Sequence, residues 1–200
     1  MPSPNRSVSP ALWIIIGAAC VFFGVLGYVI GTSGRAPAAT VAAPPAAAAP
    51  APSGGSTAPV DEAQLQTYRD LLRLDPRNLE AATQAANLLY DAGRYAEAIP
   101  LYRQAFALDP ANINISTDLG TALWYTGQAD EALAQYAKSL TLNPTHPHTL
   151  FNVGVVKMEG KNDARGAIEA WEKLLKTNPS YSEAEKVRAR LAKARQQPGS

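Results

Sequence analysis

The chain has 200 residues, a net charge of +1 and a single cysteine. A general nucleic-acid-binding protein needs a surplus of basic residues to neutralise phosphates, so this charge balance argues against that class. One cysteine cannot form an internal disulfide framework or a multi-cysteine metal site. Every charged residue except Arg6 and Arg35 lies in residues 61–200, a segment of ordinary domain size.

Residues 11–30 contain no charged side chain. A helix of these 20 residues spans about 30 Å, the thickness of the hydrocarbon core of a bilayer. Trp13 and Tyr28 lie near its two ends, where aromatic rings favour the headgroup level. A cleaved signal peptide is the alternative, but its apolar region is shorter and follows a more basic start. We therefore predict an uncleaved transmembrane signal anchor over residues 11–33.

The orientation of this anchor follows from the basic groups beside it. Arg6 and the α-amino group flank the first end and Arg35 flanks the second, which gives a small excess of positive charge before the span. Positive-inside counting then leaves the short N-terminal tail, residues 1–10, in the cytoplasm. In a bacterial host the protein would cross the inner membrane once and hold its large domain in the periplasm.

Small residues recur along one stripe of the predicted anchor helix, and two of them form a GxxxG pattern. Such stripes let two helix backbones approach closely in lipid. They predict a dimer, although glycine is also frequent in membrane helices without any pairing role. The stripe consists of Gly17, Cys20, Gly24, Gly27 and Gly31.

Residues 34–60 form an Ala/Pro-rich linker. Positions 36–60 hold 11 Ala and 6 Pro, and a segment of this composition cannot bury enough surface to fold. The prolines also interrupt every stretch in which alanine would favour a helix. We predict a disordered, partly polyproline-like spacer that holds the following domain away from the membrane.

The rest of the chain is repetitive. Asp-Pro or Asn-Pro pairs recur at Leu74–Pro76, Leu108–Pro110, Leu142–Pro144 and Thr177–Pro179, and their prolines are 34, 34 and 35 residues apart. Between them the segment AGRYAEAIPLYRQAFALDP is followed by the similar TGQADEALAQYAKSLTLNP. This pattern resembles the tetratricopeptide repeat, which has a period of 34 residues and closes with proline.

Four groups of positions carry this resemblance. The tetratricopeptide pattern has a Leu-Gly pair in its first helix. In the three repeats this pair corresponds to Ala85–Ala86, Leu119–Gly120 and Val153–Gly154. The small residue of the second helix is Ala98, Ala132 and Ala167, and the aromatic residue four positions later is Tyr102, Tyr136 and Trp171. The closing prolines are Pro110, Pro144 and Pro179. The leading tryptophan is replaced by Ala82, Ser116 and Leu150, and the third repeat has one extra residue, which we expect in its turn.

The resemblance implies an all-α fold, a right-handed α-solenoid of three helix pairs over residues 61–196. One pair cannot bury its apolar face alone, so neighbouring pairs stack and the two ends need caps. The Ser180-x-x-Glu183 pattern predicts a capping box at the start of the last helix. We predict repeats at residues 79–112, 113–146 and 147–181, with capping helices at 61–74 and 181–195.

In tetratricopeptide proteins the first helix of each pair lines a concave groove that binds extended or helical peptide segments. Family members that bind chaperones hold a peptide carboxylate with Lys and Arg side chains. In this sequence only Asn87 fits that pattern, and Thr83 occupies the position of a lysine, so we expect no such carboxylate clamp. The resemblance places Glu80 and Thr83 on the groove face. The peptide-binding residues that it implies are Asn87, Tyr90, Asn114, Thr117, Thr121, Trp124, His148, Phe151, Val155 and Met158.

Four of these positions are apolar and would form a patch suited to the apolar face of a peptide: Trp124, Phe151, Val155 and Met158. The alternative is that some of them are buried against the closing helix. If the patch is open, the double substitution Trp124→Ala with Phe151→Ala should weaken partner capture and leave the helical content intact.

Charge is unevenly distributed over the folded segment. Residues 61–135 carry 5 basic and 11 acidic side chains, whereas residues 136–200 carry 11 basic and 6 acidic ones. Such polarity can steer a partner or pair protomers head to tail. Ordinary solvated helix faces are the alternative. Basic residues of the final helix could contact anionic lipid or an acidic partner: Lys186, Arg188, Arg190, Lys193 and Arg195.

No pattern in the sequence indicates catalysis, and we predict no cofactor and no metal. Residues 154–161 resemble a phosphate loop only loosely, because five residues separate the glycines and Asn162 stands where Ser or Thr should bind magnesium. His146 and His148 flank Pro147 without further ligands nearby in sequence, so a turn with a groove-facing histidine is the better interpretation.

The predicted function is therefore that of a membrane-anchored scaffold or assembly adaptor for protein partners, not that of an enzyme. The C-terminal segment is similar to the tetratricopeptide modules of cytochrome c maturation, which hold the tail of an apocytochrome for haem attachment. A translocon-associated, chaperone-like subunit and a self-assembling structural organiser are the alternatives. The repeats themselves encode a surface and leave this choice open.

Overall fold

The computed structural model describes residues 59–197, which belong to one compact unit. This part of the chain is all-helical, as predicted, and contains no strand. The predicted anchor, its glycine stripe and residues 34–58 of the linker lie outside the described residues. Between residues 59 and 197, no helix combines the length and apolar character needed to cross a membrane. The elements are α1 (Glu62–Leu74), α2 (Leu79–Asp91), α3 (Tyr95–Leu108), α4 (Ile113–Tyr125), α5 (Ala129–Leu142), α6 (Pro147–Val155), a π-helical segment (Val156–Gly160), α7 (Ala164–Thr177) and α8 (Ala184–Ala194).

The recurring Asp-Pro and Asn-Pro pairs lie where one helix pair ends and the next begins. At the first pair, the backbone N–H of Arg77 donates to the Asp75 carboxylate at 2.9 Å, and the N–H of Ala81 donates to the Asn78 side chain at 2.9 Å. The same two bonds recur at the second pair. Proline adds a fixed φ and lacks the donor that a continuing helix would need. The repeated dipeptide therefore ends one helix and helps to cap the next.

Consecutive helices pack against each other along the whole described segment. Small residues permit close approach within each pair. A Cβ atom on Gly120 would lie 2.5 Å from the Tyr136 ring, and one on Gly154 would lie 2.1 Å from Nε1 of Trp171. Tyr136 and Trp171 are almost fully buried in a core that runs from Leu65 to Ala194. The matched small and aromatic positions of the repeat are thus direct packing partners.

The third repeat makes its internal turn differently from the first two. Gly93 and Gly127 adopt φ angles of 72° and 80° at the earlier turns, a region that glycine enters without steric cost. In the third repeat the chain passes through the π-helical segment, and Asn162 has the positive φ, at 51°. A π-helical turn accommodates an additional residue. The extra residue of the third repeat was expected in the turn between its two helices. It lies instead in the π-helical segment that follows α6, just before that turn.

The two end helices both cover the stack, α1 on α2 and α8 on α7. The predicted capping box does not form, and α8 begins at Ala184 instead of residue 181. Glu183 itself occupies the N-cap position, with no side-chain capping bond, and its carboxylate pairs with Lys186 at 2.9 Å. The residues that precede Glu183 form a turn. The Tyr181 ring in this turn packs against the His148 ring, with centroids 5.7 Å apart.

Candidate functional site

An open pocket of about 560 Å³ lies between the first helices of the repeats, α2 and α4, and the start of α6. Its lining is mainly polar, with asparagine and threonine side chains, two histidines and one carboxylate. Because the lining comes from three successive repeats, the stacking of the repeats creates the pocket. The lining residues are Thr83, Asn87, Tyr90, Asn112, Asn114, Ile115, Thr117, Asp118, Thr121, His146, His148 and Asn152.

The structure brings together six of the ten predicted peptide-binding residues in this pocket: Asn87, Tyr90, Asn114, Thr117, Thr121 and His148. Thr83 lines it as well, whereas Glu80 lies on the exposed surface and bonds to Gln84. The four apolar positions predicted as a patch are absent from the lining. The polar part of the predicted groove thus forms one cavity, and the apolar part does not extend it.

The four apolar positions do not form one open patch, because two of them are buried and the other two are half-buried. Trp124 is only 4% exposed, and its ring lies 2.6 Å from the position that a Cβ of Gly160 would take. Val155 is also buried in the core. Phe151 is half-buried, with the Nζ of Lys186 5.3 Å from its ring centroid. Half-buried Met158 lines a separate small cavity beside α8. The alternative, burial against the closing helix, holds only in part, because Phe151 and Met158 lie beside α8 but are half-buried.

A buried polar network, which the sequence analysis missed, forms the floor of the pocket. The hydroxyls of Thr117 and Thr149 lie 2.8 Å apart, and Nδ1 of His146 lies 2.8 Å from the same Thr149 hydroxyl. Thr121 bonds to the hydroxyl of Tyr136 at 3.0 Å. Satisfied buried networks hold side chains in fixed positions. The sequence did contain a signal for this network, since Thr117, Thr121 and Thr149 place hydroxyl groups at helix positions that are otherwise apolar.

Four tyrosines form an aromatic cluster at one side of the pocket. The Tyr95 and Tyr125 rings stack with centroids 4.4 Å apart, and Tyr90 meets both edge-on. Tyr102 donates its hydroxyl proton to Oδ1 of Asn87 at 2.8 Å. Burial raises the pKa of Tyr90 above its ordinary value, so this ring stays neutral. The cluster fixes Tyr90 and Asn87 at the pocket wall.

The one carboxylate in the pocket lining belongs to Asp118, which the sequence analysis did not select. Its side chain is half-buried, and burial together with the nearby charge of Asp91 raises its pKa to about 6. Asp118 follows Asn114 by one helical turn, and this spacing was the signal that could have revealed it. The site therefore keeps an acidic group in surroundings that disfavour its charged form.

Other titratable groups surround this carboxylate from neighbouring helices. Burial and the charge of His148 lower the pKa of His146, which favours its neutral form at the start of α6. None of these groups supplies Asp118 with a fixed positive charge. They are Tyr90 and Asp91 on α2, Tyr102 on α3, Tyr136 on α5, and His146 and His148 near the start of α6.

Comparisons with known proteins agree with this architecture. A family model described as tetratricopeptide repeat matches residues 89–149, and a second model with the same description matches residues 63–113. The comparison with curated proteins gave no match. Solved structures with similar folds include three that are 19–23% identical in sequence, and at this identity the similarity shows the fold alone.

Three of these structures illustrate the range. A crystal structure of MamA has 20% identity and a TM-score of 0.57, covering 66% of this chain and 85% of MamA. The Yersinia enterocolitica type III secretion chaperone SycD, in complex with a peptide of the translocator YopD, has 19% identity and a TM-score of 0.55, covering 58% of this chain and 92% of SycD. A tetratricopeptide repeat protein from Parabacteroides merdae has 23% identity and a TM-score of 0.58, covering 66% of this chain and 52% of that one. Residues 63–149 of this chain are therefore matched, in two overlapping stretches, by models of the tetratricopeptide repeat.

Proposed function

We propose that this protein is an interaction scaffold that holds a peptide segment of a partner protein in the pocket between α2, α4 and α6. The observation that carries this proposal is the polar lining contributed by three repeats. Asn87, Asn114 and Asn152 present side-chain amides, each of which can both donate to and accept from a peptide backbone. A groove with such groups suits a segment whose own N–H and C=O groups need partners.

The anchor completes the proposal. We propose that residues 11–33 cross a bacterial inner membrane once, with the N-terminus in the cytoplasm and the repeats in the periplasm. The charge-free span and the flanking arginines support this arrangement. Residues 34–60 would then give the repeat domain reach above the membrane. Pairing through Gly17, Gly24, Gly27 and Gly31 would bring two pockets together.

The pathway that we favour is cytochrome c maturation, with the pocket holding the tail of an apocytochrome. The similarity of the C-terminal segment to tetratricopeptide modules of that process supports it. A chaperone-like subunit of a secretion channel is the second candidate, and the fold shared with the chaperone SycD favours it. A self-assembling organiser is the third, and the opposite charges of the two halves of the folded segment favour it.

Site-specific photocrosslinking in intact membranes tests the scaffold function. A photoreactive amino acid replaces Asn114, which is exposed at the pocket, in the full-length protein. The matched control carries it at Ala137, an exposed residue of α5 outside the pocket. We expect crosslinks to one defined set of partner peptides from position 114 and none of that set from position 137. Identical crosslinks from both positions would contradict a role for the pocket.

The same experiment separates the three pathways. Crosslinked peptides from apocytochrome tails would support cytochrome c maturation, and peptides from secretion-channel subunits would support the chaperone-like role. Peptides from a second copy of this chain, together with oligomers whose size rises with protein concentration, would support the structural organiser.

A further inference from the structure

Asp118 differs from most other charged side chains of residues 59–197 because its carboxylate has no basic partner among these residues. Twelve ion pairs connect basic and acidic residues within residues 59–197, and Asp118 belongs to none of them. The charge of Asp91, which is another carboxylate, acts on Asp118 and repels it. A half-buried carboxylate in an open cavity therefore lacks a cation.

The walls around Asp118 fit an organic cation. Tyr90 lines the same pocket as Asp118, and the charge of Asp118 acts on its hydroxyl group. The pocket therefore offers aromatic surface together with the carboxylate. Lysine and arginine side chains pack their methylene stems on apolar surface and place their charged ends near aromatic rings and carboxylates. A metal ion is a poor fit, since the described residues contain no group of three His, Cys, Asp or Glu that could hold one.

The surroundings also attract positive charge over a longer distance. Residues 61–135, which include α2 and α4, carry 11 acidic and 5 basic side chains. Such an excess raises the local concentration of a basic segment near the pocket. Neutral asparagine and threonine side chains make up most of the remaining lining and do not oppose it.

We propose that the segment bound in this pocket presents an ammonium or guanidinium group to the Asp118 carboxylate, an inference that rests on the proposed peptide-binding function. The group is the side chain of a lysine or arginine within the segment. The free α-amino group of a peptide has the same chemistry, and the experiment separates the two sources.

The test measures the affinity of the full-length protein, in detergent, for pools of fluorescent dodecapeptides. All pools are N-acetylated and randomised over uncharged residues, except for one central position fixed as Lys, Arg, Gln or Glu. A further pool has central Gln and a free N-terminus. Three proteins are compared: wild type, Asp118→Asn, and Glu169→Gln. The last variant removes the same charge from an exposed position of α7 that lies outside the pocket.

We expect the wild type and Glu169→Gln to bind the Lys and Arg pools roughly tenfold more tightly than the Gln pool, as a charge-assisted hydrogen bond predicts. In Asp118→Asn the affinity for the Lys pool should fall to that for the Gln pool. The wild-type preference should weaken as salt is added.

Each other outcome overturns part of the proposal. If the wild type binds the Lys and Gln pools equally, basic recognition is wrong while peptide binding stands. If only the pool with a free N-terminus is preferred, the α-amino group is the ligand and the side-chain assignment is wrong. If Asp118→Asn keeps the preference, another residue is responsible. If the wild type binds no pool, both this inference and the proposed function fail.

Discussion

The pocket and the closing end of the solenoid, residues 150–197, treat charged and apolar groups in opposite ways. At the closing end, Arg190 pairs with Glu159 at 2.6 Å and Arg195 pairs with Glu172 at 2.6 Å. Most apolar side chains there are buried in the core or half-buried against it. In the pocket, Asp118 keeps a carboxylate without a counter-ion, although burial disfavours its charge. The closing end is arranged for stability, whereas the pocket retains a group that reduces stability, which is typical of functional sites.

The largest expected effect concerns the border between the two regions, where Trp124 is buried beneath Gly160. Trp124→Ala would remove most of a large core side chain and leave a cavity. We expect the free energy of unfolding to fall by about 3–5 kcal/mol, measured by chemical denaturation of the full-length protein in detergent. The double substitution with Phe151→Ala should therefore reduce helical content, contrary to the expectation from sequence.

Leu74→Ala is the control for this substitution, because the Leu74 side chain is 85% exposed. It should change the free energy of unfolding by less than about 0.5 kcal/mol. If Trp124→Ala were equally mild, the indole would not be part of the core, and the closing end would be looser than described.

The second effect concerns the packing of α6 on α7 at the closing end. Nε1 of Trp171 donates to the carbonyl of Phe151 at 3.1 Å, and Gly154 leaves the space for its ring. Gly154→Ala should lower the free energy of unfolding by about 1–3 kcal/mol, because the added methyl overlaps the indole. Adding Trp171→Phe should recover part of this loss, since the smaller ring frees space. A more stable Gly154→Ala protein would contradict the close contact, because alanine alone favours a helix.

The sequence predicted most of the fold because the repeat fixes packing partners at constant spacing. Gly120 and Tyr136, or Gly154 and Trp171, occupy matching positions and do meet in the structure. The burial of the Trp124 ring against Gly160 could not be predicted from the repeat spacing. It depends on where the extra residue of the third repeat is placed, and the π-helical segment brings Gly160 onto that ring.

The site was predicted only in part for a related reason. The spacing of the first helices selected Asn87 and Asn114, and both residues line the pocket. Whether a position one helical turn further, such as Asp118, faces the same cavity depends on how neighbouring helices tilt against each other. Nor does the period reveal that Asp118 lacks a basic partner, because its possible partners belong to other helices.

The third effect tests the cost of the unpaired carboxylate. The pKa of Asp118 is raised from 3.8 to about 6 in the folded protein, so the native state binds more protons than the unfolded state between these values. Its contribution to stability is therefore present at low pH and is lost as the pH rises through about 6. Asp118→Asn should stabilise the protein by about 1–2 kcal/mol at pH 7.5, after allowance for the partial exposure of the side chain.

The pH dependence provides the control for this prediction. Thermal unfolding of wild type and variant, compared from pH 4 to pH 8, should show a difference that is smallest at pH 4 and grows toward pH 7. The titration of groups far from the pocket affects both proteins equally and cancels in the difference. A variant that is less stable than wild type at pH 7.5 would mean that the carboxylate has a favourable partner after all.

The smallest effect is expected where a charge is already balanced. Arg190 is about one-third exposed, pairs with Glu159, and lies with its guanidinium carbon 5.7 Å from the Phe151 ring centroid. Exposed ion pairs contribute little because water competes for both groups, so Arg190→Gln should lower the free energy of unfolding by less than about 1 kcal/mol. Removing the pocket charge at Asp118 and the closing-end charge at Arg190 should therefore move stability in opposite directions. If both substitutions destabilise the protein, Asp118 is as well compensated as Arg190 and gives no reason to assign a cationic ligand to the pocket.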